Sequence, residues 1–149
     1  MRESTGYDFT GIGDTQTQAS MHQFVDDTYV SLVKAREKAL TMMIIIGNSW
    51  SYNLYLVVPF DCEIVKIYSV IQAEIATANE TLTFYNDAGI ALTNGAITIE
   101  YIGSAEGDVD NCTPTNNNRF EAGEEVKIHI GSENSNTVRC DLTFLCKVG

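Results

Sequence analysis

From Thr41 to the C terminus, hydrophobic and polar residues alternate along the chain, and turn-forming residues interrupt them at short intervals. A period of two is the pattern of a β-strand that turns one face towards a core. It predicts seven strands, which are Met42–Ile46, Asn53–Val58, Glu63–Ala73, Thr81–Asn86, Ala96–Ile102, Glu125–Ile130 and Thr137–Lys147. Strands of this length and spacing predict a mainly-β fold, an antiparallel β-sandwich or jelly-roll-like body over residues 41–149.

Four stretches rich in Gly and Asn supply the predicted turns. They are Gly47-Asn48, Asn86-Asp87-Ala88-Gly89, Asn94-Gly95 and Gly131 to Asn136.

Residues 20–40 follow a different period. Mostly apolar residues recur at steps of three and four and form one stripe, which comprises Met21, Phe24, Val25, Thr28, Leu32, Ala35 and Ala39. Ser20 can cap a helix start, and Lys34, Arg36 and Lys38 crowd the end, where the helix dipole favours cations. We therefore predict one N-terminal helix over 20–40. Apolar residues off the stripe, such as Val30, leave two alternatives: a helix buried on two sides, or a stretch that is partly extended.

Residues 1–19 form a polar segment with few large apolar side chains. Such a segment cannot bury enough apolar surface to offset its conformational entropy. We predict an extended arm, held either by its own domain or by a neighbouring subunit. Tyr7, Phe9 and, less regularly, Ile12 alternate as a strand added to another sheet would require, so they are predicted to bind a partner.

The composition supports one soluble domain, with 44 % hydrophobic and 19 % charged residues. The net charge of -11, with only 9 Lys and Arg, argues against nucleic acid and against an anionic membrane surface as partners. No apolar run approaches the roughly 20 residues of a membrane span. The N terminus lacks a secretory signal pattern, so we expect a protein made in the cytoplasm, which favours free thiols.

The four cysteines do not form a metal-binding pattern. Cys140 and Cys146 lie about 20 Å apart on one predicted strand, so they cannot pair with each other. A disulfide from Cys62 to either of them stays open. The sequence contains no Cys-x-x-Cys motif and no closely spaced pair of His residues, so it does not indicate a zinc site.

The sequence also lacks a set of residues that could form a catalytic site. His129 falls on the outer side of a strand, and His22 lies far from any cysteine in sequence. Glu106, Asp108 and Asp110 alternate in an acidic loop, but the residues that follow do not continue a calcium-loop motif. We expect neither an enzyme nor a bound cofactor or metal.

Several strand-and-turn stretches resemble the small β-sandwich proteins that decorate or cement the heads of tailed phages. The resemblance extends from Val57 to Phe144, and its motifs are Val57–Ile64, Thr77–Thr83, Gly103–Asp110, Pro114–Asn117 and Phe120–Ile128. It implies a structural virion protein on the outer capsid surface, assembled in the host cytoplasm. Its partners would be the major capsid protein and itself, as a homodimer or homotrimer that bridges capsid subunits without a cofactor.

Trp50 and Tyr52 lie where the predicted body begins, and aromatic residues are enriched at interfaces, so both are candidate partner-binding residues. A second hypothesis is a carbohydrate- or receptor-binding module of a phage head fibre or tail. It would use exposed aromatic side chains beside the polar stretch from Gly103 to Phe120.

Overall fold

The computed structural model describes residues 36–47 and 50–149, which form nine β-strands and no helix. The strands are β1 (Glu37–Ile46), β2 (Tyr52–Val57), β3 (Cys62–Ile71), β4 (Glu80–Tyr85), β5 (Ala91–Ile99), β6 (Val109–Cys112), β7 (Arg119–Phe120), β8 (Glu125–Ile130) and β9 (Val138–Val148). Accordingly, no helix in these ranges is long and apolar enough to cross a membrane.

The strands form two antiparallel sheets. One has the order β1-β9-β3-β6, with β7 also pairing with β3, and the other has the order β2-β8-β4-β5. Alternate residues of both sheets enter one shared core, where the rings of Phe84 and Phe144 meet edge to face with centroids 5.6 Å apart. The predicted mainly-β body, with its strands in antiparallel sheets, is therefore confirmed.

The clearest sequence pattern also gave the most accurate strand bounds. Glu125–Ile130 was predicted with the bounds of β8, and its Val126, Ile128 and Ile130 are fully buried. The turn at Asn86–Gly89 is present, with Gly89 at a φ of 80° and its N–H donating to the Asn86 carbonyl at 2.9 Å.

The predicted helix over 20–40 needs a correction at its end, and the rest of it lies outside the described residues. Glu37–Leu40 belong to β1, which pairs with β9 over ten residues, from Ile46 opposite Val138 to Glu37 opposite Lys147. Hydrogen bonding to the long neighbouring strand outweighs the helical spacing of these four residues. The predicted arm, residues 1–19, also lies outside the described residues.

A second correction concerns Asn94-Gly95, which is not a turn between strands. Both residues lie inside β5, where the pairing register with β4 shifts and Asn94 has a positive φ of 57°. A Cβ on Gly95 would lie 2.4 Å from the Leu92 Cβ, so the bulge needs glycine at this position. The short strands β6 and β7 were not predicted, because neither shows a run of alternating apolar residues.

All four cysteines are free and buried, so Cys62 is bonded to neither Cys140 nor Cys146, the pairing that the sequence leaves open. Burial raises the pKa of Cys112 to about 11 and the pKa values of Cys140 and Cys146 to about 12. These thiols act as small apolar side chains in the core.

Candidate functional site

The first candidate surface is the outer side of β2, which we call the β2 edge. Within residues 36–47 and 50–149, β2 pairs only with β8, so no strand covers its other side. Its outward side chains Tyr55 and Val57 are 57 % and 52 % exposed. The strand from Tyr52 to Val57 contains no charged residue, no proline and no register shift.

The other edge strands carry features that discourage strand addition. β1 begins with the exposed charged pair Glu37 and Lys38. β5 contains the bulge at Asn94-Gly95 and is bridged by Asn116 at Thr93. β6 has only four residues and includes Asp110. Charges, bulges and shortness protect sheet edges from further pairing, and among the described strands β2 alone has none of them.

Two pairs of interacting polar side chains lie on the outer face of this sheet, beside the β2 edge. The Lys127 ammonium lies 4.2 Å from the centre of the Tyr85 ring, and His129 Nδ1 is 2.8 Å from Asn53 Oδ1. The His129 imidazole is thus engaged with an amide on an exposed strand face. A shallow pocket of about 230 Å³ lies between Tyr55, Lys127 and the turn of residues 86–89.

Two of the partner-binding residues predicted from the sequence, Trp50 and Tyr52, lie within the described residues, and their environments differ. Trp50 lies between β1 and β2 and is 66 % exposed, so its ring is available to a partner. Tyr52 is half-buried, and its hydroxyl donates a hydrogen bond to the Ile45 carbonyl. That bond ties the start of β2 to β1. Tyr7, Phe9 and Ile12 lie outside the described residues.

The second candidate surface is one end of the body, which we call the loop end. It consists of residues 47, 50–51, 72–79, 100–108 and 131–137, which are the connections β1–β2, β3–β4, β5–β6 and β8–β9. Ser104 Oγ accepts a hydrogen bond from the Ile75 N–H at 3.0 Å, and the Tyr101 N–H donates to Asn79 Oδ1 at 3.1 Å. The β3–β4 and β5–β6 connections are therefore fastened together.

Asn134 fastens the β8–β9 connection to the β3–β4 connection. It is fully buried, and its Oδ1 accepts hydrogen bonds from the backbone N–H groups of Ala76 at 3.0 Å and Thr77 at 3.2 Å. Its Nδ2 donates to the Asn136 carbonyl at 2.8 Å. A buried amide that accepts hydrogen bonds from one loop and donates one within the other fixes the two loops in one arrangement.

A carboxyl pair lies at the base of the loop end. Glu80 is fully buried at the start of β4, and the exposed Glu133 from the β8–β9 connection hydrogen bonds to its carboxyl group. Burial is the largest cause that raises the pKa of Glu80, and Glu133 adds to it, so that this pKa reaches about 7. The sequence does not indicate Glu80 as a buried residue, because Asn79-Glu80-Thr81 has the composition of a polar turn.

Within the described residues, the acidic loop of Glu106, Asp108 and Asp110 has a structural explanation. Asp108 Oδ2 accepts a hydrogen bond from the Ala105 N–H at 2.8 Å, which closes a turn. Among the described residues, no group of three or more His, Cys, Asp and Glu side chains is arranged to hold a metal ion.

No family model and no curated protein matches the chain. Solved structures that match include the acid-stable capsid of Helicobacter pylori bacteriophage KHP30, at 14 % identity over 74 % of this chain and 91 % of that chain, with a TM-score of 0.43. Bacillus endospore appendages, a family of disulfide-linked pili, match at 11 % identity over 76 % and 91 %, with a TM-score of 0.39. A virus-like particle of the extra small virus of the prawn Macrobrachium rosenbergii matches at 12 % identity over 74 % and 79 %, with a TM-score of 0.30. At these values the likeness carries no conclusion about function.

Proposed function

We propose that the chain is a structural virion protein that decorates or cements the outer surface of a phage capsid as a homo-oligomer. Its partners are the major capsid protein and further copies of itself. In this role the body is a rigid, non-catalytic building block, and the arm of residues 1–19 reaches across to a neighbour. The motifs between Val57 and Phe144 that resemble head decoration proteins motivate the proposal.

The order of the strands supports a jelly-roll fold for the body. Without the two-residue β7, eight strands form the sheets β1-β9-β3-β6 and β2-β8-β4-β5, and nearly every connection crosses from one sheet to the other. We interpret this order as a jelly roll, a fold that serves viral capsids but also lectins and cupins. Since one fold serves many functions, the role must be argued from the surface.

The observation that carries the proposal is the β2 edge. An uncharged six-residue strand with exposed Tyr55 and Val57 suits the addition of a strand from another chain, because backbone hydrogen bonds supply affinity there. The acidic chain, with its net charge of -11, otherwise repels its own copies. Electrostatic repulsion between two copies is therefore smallest where they meet at this uncharged edge.

Co-sedimentation with capsid shells that lack the protein tests the proposal. We expect the full chain to pellet with the shells in a saturable manner. A chain lacking residues 1–19 should keep a folded body but bind more weakly, because the anchors Tyr7 and Phe9 are lost. Replacing only these two residues by Ala should reproduce most of the loss. Unchanged binding of the shortened chain would remove the arm from the proposal.

A carbohydrate- or receptor-binding module is the second candidate function. Tyr101 and Ile102 are 38 % and 77 % exposed on the β5–β6 connection. Ile102 lines a pocket of about 240 Å³ together with Ser104 and Asp110, and Tyr101 is its neighbour in the chain. An exposed ring next to polar groups is a common way to hold a sugar. A glycan array on which the full chain binds no sugar would remove this candidate.

A further inference from the structure

We propose that Glu80 and Glu133 form a proton-dependent clasp that holds the loop end together. With one proton shared between the two carboxyl groups, the β8–β9 connection is fastened to the start of β4 and to the β1–β2 connection. Loss of that proton places two negative charges in contact and releases the connections. The inference does not depend on the proposed capsid role.

The contacts of Glu80 place its side chain where three elements meet. Its Oε2 accepts a hydrogen bond from the Gly47 N–H at 3.2 Å, and its Oε1 accepts one from the Thr81 N–H at 3.3 Å. The Gly47 backbone in turn packs against the Asn136 carbonyl, since a Cβ on Gly47 would lie 1.9 Å from that oxygen. A change of charge at Glu80 therefore acts on the β1–β2 and β8–β9 connections together.

Gly131 shows how closely the two carboxyl groups approach. A Cβ on this residue would lie 2.2 Å from Glu133 Oε1 and 2.7 Å from Glu80 Oε1. Both oxygens thus lie in the space that a side chain at position 131 would occupy, so the glycine makes room for the pair. Two carboxylates in such proximity cannot both ionise without an electrostatic cost, so Glu80 keeps its proton to a higher pH than a lone carboxyl group does.

No positive side chain offsets this cost among the described residues. Glu133 from the β8–β9 connection and Tyr52 from β2 are the titratable groups that interact with Glu80, and the remaining interactions are the N–H groups of Gly47 and Thr81. The Tyr52 hydroxyl is already committed to the Ile45 carbonyl. Ionisation of Glu80 therefore leaves a buried charge that only two long backbone hydrogen bonds stabilise.

The direction of the pH effect follows from the raised pKa of Glu80. Burial and the Glu133 carboxylate raise it from 4.5 to about 7 in the folded protein. Between these two values the folded chain retains a proton that the unfolded chain has released, so protonation stabilises the folded state. This contribution is complete below pH 4.5 and is lost as the pH rises through about 7.

Trp50 provides the measurement, because it is the single tryptophan of the chain and lies three residues after Gly47. We would record its fluorescence, excited selectively, and its quenching by acrylamide between pH 4.5 and 9 on the full chain. The clasp predicts a transition near pH 7, with stronger quenching above it because the loop is released. Glu80→Gln should abolish the transition, since the amide carries no charge and can still accept from Gly47.

Two more variants keep the test decisive. Glu133→Gln changes an exposed residue, so folding should survive, and it should move the midpoint below that of the wild type by removing the like charge. Glu121→Gln makes the same change on an exposed residue at the opposite end of the body and should leave the transition unchanged. Above pH 8, Glu80→Gln should also unfold at a higher temperature than the wild type.

Two results would overturn the proposal. One is a wild-type signal that stays constant from pH 4.5 to 9. The other is a transition that persists unchanged in both Glu80→Gln and Glu133→Gln, which would assign it to a different titratable group.

Discussion

At the scale of single residues, Asn134 illustrates how one buried amide organises a loop-rich surface. Its Oδ1 satisfies the N–H groups of Ala76 and Thr77, and its Nδ2 satisfies the Asn136 carbonyl. All of these partners lie in the loop end, where no strand supplies hydrogen bonds to them. The order of this surface therefore depends on a side chain rather than on a sheet.

Replacing Asn134 by Ala should destabilise the protein by about 1–3 kcal/mol, because the loop end loses the hydrogen bonds that join this buried amide to Ala76, Thr77 and Asn136. Chemical denaturation monitored by circular dichroism measures this free energy of unfolding. Asn111→Ala is the matched control, since Asn111 is an exposed asparagine of β6 whose change should cost less than about 0.5 kcal/mol. Equal effects of the two substitutions would contradict the role assigned to Asn134.

The residues of the candidate surfaces differ in how far the sequence predicts them. The aromatic character of Trp50 at the start of the body predicts a partner-binding residue, and its side chain is 66 % exposed. The same pattern predicts Tyr52, whose hydroxyl donates a hydrogen bond to the Ile45 carbonyl. Glu80 could not be found in this way, because its burial depends on connections that are distant in sequence and meet only in the folded chain.

At the scale of elements, strong alternation predicts strands well, while pairing partners decide their ends. β8 was predicted with its observed bounds because its three buried residues alternate strictly with Lys127 and His129. β1 is longer than predicted, because β9 provides pairing partners as far as Glu37. In β5, a dipeptide typical of a hairpin turn instead makes a bulge, since Thr93 is also bridged by Asn116.

The β2 edge allows a prediction at the same scale with a closely matched control. Val57→Lys places a charge on this edge and should convert the oligomer of the full chain to monomer, because edge charges oppose strand addition. Val109→Lys makes the same change on β6, at the edge of the other sheet. The two valines are similarly exposed, at 52 % and 56 %, so Val109→Lys should leave the oligomer intact.

Sedimentation equilibrium measures the mass of each variant at several concentrations. Circular dichroism checks that both lysine variants remain folded. A Val57→Lys variant with the same mass as the wild type would show that copies do not meet at the β2 edge.

At the scale of the whole molecule, the described residues form a two-sheet body with one fastened end and one unprotected edge. The sequence pattern predicts the β-body, whereas the fastened end and the unprotected edge emerge only when distant segments come together. Binding to a shell should then act by mass action, because a protein that binds the intact shell and not its separated subunits stabilises the shell.

The heat-disruption temperature of capsid shells, measured with and without the bound full chain, tests the central claim most directly. Light scattering or a dye that reports released contents can follow disruption as the protein is added up to saturation. The account predicts that the temperature rises with occupancy and levels off when the sites on the shell are filled. A disruption temperature that stays the same at saturating protein would contradict a role in cementing the capsid.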